Sequence, residues 1–259
     1  MALRLGVVQE SWLEPLFRGF SAEVEVPADE PAITVVTGTP AQLADLIAND
    51  NLEAAFLTPL DYAVHASRLQ IIPGVCASST GESGIVRIQF KEEANTIASL
   101  AAFHALLSDT SLARIVLAEN QELFPQIFTV DSIADEILSR VDGIVYAGDP
   151  SFKHPELSGK FDLAEEWFDL AELPFVHGFW VAREDILTPI DVKAILRRSA
   201  IGIAAALENK DGNAEENPIS FELDELALSA IREFFQLAFY HGILKDIPEL
   251  KFVPLISSN

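Results

Sequence analysis

With 259 residues, 49% of them hydrophobic and 22% charged, the chain has a globular composition and the length for one large domain or two lobes, which excludes a disordered polymer. Its 17 basic residues against 40 acidic ones give a net charge of −23, which repels nucleic acid and anionic membrane at long range. Salt screens that field beyond about 8 Å, so local donors can still build an anion site.

A single cysteine, Cys76, excludes an internal disulfide framework and a cysteine-based zinc site, and reads as a small core residue. No apolar run approaches the roughly 20 residues that span a bilayer. The opening MALRLGVVQESW is too short in its apolar part for a secretory leader, so a cytoplasmic protein is expected.

In chain order, Leu3 to Val8 reads as a buried strand that opens into Gln9-Glu10-Ser11-Trp12, with a helix from about Leu13 to Pro15. In open α/β sheets such strand-to-helix junctions hold ligands, which makes Gln9, Ser11 and Trp12 candidates. Thr39-Pro40, Thr58-Pro59 and Thr188-Pro189 repeat one device: a threonine N-cap, a proline at the first helical position, and an amide or acid at the third. Asn51 to Leu57 reads as a strand between the first two of these starts. Strand, helix and strand in that order imply a parallel sheet. Thr58 ends a strand and starts a helix at once, so it serves as a cap or as a ligand contact at free N–H groups.

Leu69 to Ala77 reads as the next strand, followed by the hydroxyl- and glycine-rich loop from Ser78 to Gly84. Ser78, Ser79, Thr80 and Gly81 are candidate donors there, against the alternative of a plain surface loop. The pattern GxxxxGKS/T is absent. Ile85 to Phe90 alternates like a half-exposed strand, Glu92 to Leu107 turns helical, and Ile115 to Ala118 reads as a short strand followed by the polar cluster Glu119-Asn120-Gln121-Glu122, in which Asn120 is a candidate contact. A helix is predicted over Asp131 to Arg140, and a strand over Gly143 to Ala147 that ends in Gly148-Asp149-Pro150. Asp149 is there either a turn aspartate or a ligand contact. Asp191 to Leu207 and the stretch from Leu223 to Ala238 read as helices, with a polar loop over 208–217 between them.

The segment FDLAEEWFDLAELPFVHGFWVAR, residues 161–183, joins an acidic helix to an apolar strand through Leu173-Pro174, so the helix is expected to end near Glu172. His177 stands in that apolar strand, either as a satisfied core histidine or as a proton carrier.

This segment, with Ala147-Gly148-Asp149, resembles the menaquinone biosynthesis enzymes of the futalosine route. The likeness is to chorismate dehydratase in particular and, more distantly, to 1,4-dihydroxy-6-naphthoate synthase. That family carries an IGD-type turn and then DLG-x-x-W…GLPFVFA-x-W-x-A-R, where this chain reads AGD at 147–149 and DLAEEW…ELPFVHGFWVAR at 162–183. Weaker likeness runs through LRLGVV, AAFLTPLDYA at 54–63 and CASSTG at 76–81.

The resemblance implies an α/β, two-lobed periplasmic-binding-protein-like (type II) fold with a ligand cleft between the lobes. Residues 1–85 and 180–259 would form lobe one and 86–179 lobe two. It implies dehydration of chorismate, a carbon-oxygen lyase reaction, with a small-molecule carboxylate as ligand, no cofactor and no metal, in a monomer or homodimer with no nucleic-acid or membrane partner. Several family positions differ: Trp12 stands for an asparagine, Ile85 for a serine, and Asn120-Gln121-Glu122-Leu123 for a Ser-Arg-Thr-Ser loop. The alternatives are a non-catalytic small-molecule binding protein on the same scaffold, which these replacements leave open, or a 1,4-dihydroxy-6-naphthoate synthase-like lyase.

Overall fold

A computed structural model describes residues 2–21, 27, 30–91, 96–149, 151, 152, 154, 155, 157–208 and 219–254. The expected turn residue Pro150 and most of the 208–217 loop lie outside the described residues. In chain order the strands are β1 (Leu3–Val7), β2 (Ile33–Thr37), β3 (Ala54–Leu57), β4 (Leu69–Ser79), β5 (Val86–Phe90), β6 (Ser99–Phe103), β7 (Gln126–Val130), β8 (Gly143–Ala147), β9 (Gly159–Asp162), β10 (Phe175–Arg183) and β11 (Ile219–Leu223). The helices are α1 (Glu14–Phe17), α2 (Pro40–Ala48), α3 (Pro59–His65), α4 (Leu107–Gln121), α5 (Asp135–Leu138), α6 (Leu163–Ala171), α7 (Pro189–Glu208) and α8 (Glu225–Tyr240).

The chain divides into two compact units. One holds Met1–Ser78, Val176–Glu225 and Pro248–Asn259; the other holds Ser79–Phe175 and Leu226–Ile247. The crossing points fall at 78/79 and 175/176, where the sequence reading set 85/86 and 179/180, and most of α8 goes with the second unit.

The first unit is built on a sheet in the order β11-β4-β10-β3-β1-β2. β1 runs parallel to β2 and β3, while β10 runs antiparallel to β3 with Phe179 opposite Leu57. β10 is buried on both faces over its first eight residues, which explains its almost continuous apolar sequence. Trp180 is fully buried among the rings of Phe17, Phe20 and Phe56, and its indole N–H donates to Ser199 Oγ at 3.2 Å.

Here the N-terminal helical turns meet α7 at backbone distance. A Cβ on Gly19 would stand 1.8 Å from the Arg198 carbonyl oxygen, and one on Gly202 2.3 Å from that of Pro15. All three threonine caps form as the sequence predicts. Thr39 makes a reciprocal capping box with Gln42, and Thr58 and Thr188 accept the amides of Asp61 and Asp191, each at 3.3 Å.

The second unit has a sheet in the order β7-β6-β8-β5-β9, with β6 parallel to β7 and β8, and β5 antiparallel to β8 and β9. α6 covers it with Trp167, which is fully buried against Phe175 and Phe234 and donates its indole N–H to the Pro174 carbonyl. The helix ends at Ala171, with Glu172 left-handed at φ 55°, as the Leu173-Pro174 break requires.

Four expectations are corrected in this unit. The helical pattern over 92–107 is a strand at Ser99–Phe103 before α4 begins at Leu107. The strand expected at Ile115 to Ala118 lies inside α4, because a four-residue apolar run looks alike in a buried strand and a buried helix face. The helix over 131–140 shrinks to Asp135–Leu138. β5 is an interior strand, so the alternation at Arg87 and Gln89 marks buried polar groups, each 5% exposed, rather than a solvent face.

Candidate functional site

Register places a set of side chains at one end of the first unit's sheet. Leu5 and Gly6 of β1 lie beside Ala54 and Ala55 of β3, and the antiparallel β10 pairs Phe179 with Leu57. The carboxyl ends of β1 and β3 and the amino end of β10 therefore coincide. Trp12 follows the first, Thr58 the second, and His177 with Gly178 stands at the third. The Glu184 N–H donates to the Arg68 carbonyl at the far end of the sheet, so Ser78, closing β4, points toward the same end as His177.

The Trp12 ring meets the imidazole of His177 edge-on, with centroids 5.1 Å apart and planes inclined at 60°. His177 is 8% exposed, and burial pushes its pKa down to about 3, so it is neutral across the physiological range. An imidazole that resists protonation to that degree is a weak proton acceptor at pH 7, which argues against the proton-carrier reading. Trp12 Nε1 is buried and has no hydrogen-bond partner among the described residues. A buried unpaired donor costs about 1–3 kcal/mol and calls for an acceptor, whether water or ligand.

Thr58 Oγ1 donates to Asp61 Oδ2 at 2.5 Å while accepting the Asp61 amide. Its one proton is thereby committed, so it has none to donate to a ligand. Burial raises the Asp61 carboxyl pKa, with the Thr58 contact opposing that rise. Gly178 needs its missing side chain here: a Cβ would stand 2.5 Å from Phe56 Cε1 and 2.9 Å from the Leu57 carbonyl oxygen.

The other sequence candidates fall in varied settings. Gln9 and Ser11 are exposed ahead of α1. Ser78 and Ser79 belong to β4 rather than to a loop, and both are buried. Thr80 is exposed, and Gly81 has φ 74°, the left-handed region that glycine enters without strain. Asn120 is in the last turn of α4 and not at a strand's end. Its Nδ2 donates to the Glu166 carbonyl and to Glu166 Oε2, both at 3.0 Å, and so ties α4 to α6. Cys76 is fully buried, its thiol pushed up to about 12 by burial, which fits the core reading.

The second unit carries its own group at the carboxyl ends of β6 and β8. Asp149 is exposed and its Oδ1 accepts the Ser151 amide, which holds its carboxyl below the usual range. The Arg87 guanidinium donates to the carbonyls of Gly84, Asp149 and Phe152 and lies 4.9 Å from the centre of the Tyr146 ring. Tyr146 stacks on Phe152 at 4.2 Å, and Phe103 meets His104 at 4.3 Å. His104 is exposed at the end of β6 with φ 56°, a conformation that non-glycine residues rarely hold. Sequence reasoning singled out neither Arg87 nor His104 as site residues. The legible signal was a cation inside an apolar strand, which requires internal acceptors.

Among the described residues no cluster of His, Cys, Asp and Glu is placed to hold a metal ion, and no helix is long and apolar enough to cross a membrane.

A family model described as menaquinone biosynthesis matches residues 3–216. No curated protein matches the sequence. Among solved structures, a protein from Archaeoglobus fulgidus is 16% identical, with TM-score 0.68 over 94% of this chain and 98% of its own. A Candida albicans protein described as having the generic periplasmic binding protein fold is 12% identical, with TM-score 0.61 over 99% of both chains. The periplasmic aliphatic sulphonate binding protein of Escherichia coli is 13% identical, with TM-score 0.59 over 96% of this chain and 94% of its own. At such identities the likeness is one of fold. It agrees with the expected periplasmic-binding-protein class, with two mixed sheets.

Proposed function

This chain belongs to the menaquinone biosynthesis family, and from that premise we propose that it is a chorismate dehydratase-like lyase that binds a small cyclic carboxylate and eliminates water. The observation that carries the reading is the Trp12 indole N–H, unpaired among the described residues beside His177, at the sheet end where β1 and β3 finish and Thr58 follows β3. Ligands of open α/β sheets gather at such strand ends.

In this reading Trp12 Nε1 donates to a carboxylate oxygen of the substrate. Thr58, its own proton given to Asp61, holds the start of α3, and the ring hydroxyl leaves together with the ring proton as one water. His177 stays neutral and fixes the edge of the Trp12 ring. Loss of that hydroxyl and of one ring hydrogen converts chorismate to 3-(1-carboxyvinyloxy)benzoate plus water. The gain of an aromatic ring drives the step, so the protein's contribution is orientation and exclusion of solvent.

The test is incubation of the purified protein with chorismate, followed by mass analysis. Product above background is expected, and its absence overturns the lyase reading. A second reading, a non-catalytic binding protein, is favoured by the depressed His177, which leaves that residue without a proton-transfer role. Thermal stabilisation by chorismate without turnover supports that reading; turnover excludes it.

A further inference from the structure

We propose that the second unit carries a separate small-molecule site that takes an aromatic monocarboxylate. A cavity of about 320 Å³ lies at the amino end of β7, the opposite end of that sheet from Asp149 and Tyr146. Small-molecule sites occupy roughly 300–1,000 Å³, so this one has room for a single substituted ring.

Its walls come from three pieces of chain. α4 contributes Arg114 and, one turn on, Ala118. The turn after α4 contributes Phe124, which is 80% exposed, and Pro125. The end of α8 contributes His241 and Ile243, held by Gly242 at φ 70° and by the Ile243 N–H on the Ala238 carbonyl at 2.8 Å.

Two features point to the ligand. Arg114 has no hydrogen-bond acceptor or ion-pair partner among the described residues, whereas Arg4, Arg18, Arg140 and Arg183 each hold a carboxylate. Glu119, the acid near it on the same helix, is already engaged by His241 Nε2 at 2.7 Å. In a chain of net charge −23, an uncommitted guanidinium lining a cavity is a point of local anion attraction. The negative carboxyl end of α8 reaches the wall and its lining His241 carries the Glu119 carboxylate behind it, which favours a monoanion over a dianion. Phe124, Pro125 and Ile243 offer apolar faces to a ring while its carboxylate reaches Arg114.

Benzoate is the probe, titrated into the full-length protein and followed by amide proton–nitrogen spectra. Saturable shifts are expected at residues 114–126 and 241–243, with a dissociation constant on the order of 1 mM. Arg114→Gln, and replacement of benzoate by benzamide, should each weaken binding about tenfold or more, since each removes a charge-assisted contact. Phe124→Ser should weaken it by several-fold with the melting temperature unchanged, as that side chain is mostly exposed. The proposal is overturned if no saturable shift appears at these residues, if benzamide binds as well as benzoate, or if either variant, folded, keeps the original affinity.

Discussion

The two sheets present contrasting carboxyl ends. In the second unit the polar group at that end, Arg87, is spent on its own scaffold, its guanidinium divided among the carbonyls of Gly84, Asp149 and Phe152. In the first unit the indole N–H of Trp12 is buried and uncommitted, while His177 beside it is held neutral. One end uses its donor to fix a loop; the other keeps a donor in reserve at an energetic cost. A reserved donor suits a binding site, which is why Trp12 rather than Arg87 is the proposed ligand contact.

Four changes break or sharpen that contrast. Arg87→Met removes every guanidinium bond of a buried side chain and leaves three half-buried or exposed carbonyls without that donor, so it should cost about 3 kcal/mol in denaturant unfolding. A loss below about 1 kcal/mol would mean that Arg87 is not a scaffold group. Gly178→Ala drives a Cβ against the Phe56 ring and the Leu57 carbonyl, and an overpacking cost of roughly 2 kcal/mol is expected in the same assay.

His177 gives a pH signature. Its folded pKa, about 3, lies below the usual histidine value of 6.5, so its stabilisation is complete above pH 6.5 and declines as pH falls toward the folded value. The slope approaches roughly 1.4 kcal/mol per pH unit. Asp61 and Asp162, whose pKa values burial raises, contribute in the opposite sense. The measurement is therefore the difference between wild type and His177→Phe from pH 6.5 to 5.5, and the variant should show the flatter curve. Smallest is Thr58→Val, which removes the α3 cap and should cost about 1 kcal/mol in thermal unfolding.

Much of the scaffold was legible because it rests on local chemistry. The three Thr-Pro starts, the Leu173-Pro174 break and the two-sided burial of β10 follow from capping, proline sterics and apolar continuity. The region from 92 to 140 was not, because Thr96 to Leu107 and Ile115 to Ala118 are apolar runs whose period does not separate strand from helix. The candidate site was legible only by position, as residues that end strands. Whether a donor there is spent depends on long-range partners that sequence does not display: Asn120 proved tied to Glu166, and Arg87 to the carbonyls after β8.

Trp12 is proposed to hold its indole N–H for an oxygen of a cyclic carboxylate. Calorimetric titration of chorismate into wild type and Trp12→Phe tests it, since phenylalanine keeps an aromatic ring toward His177 while removing the N–H donor and part of the ring. Wild type should bind and the variant should bind about tenfold more weakly, a loss of roughly 1.4 kcal/mol. Equal affinity in the two proteins, or no binding by either, would contradict it.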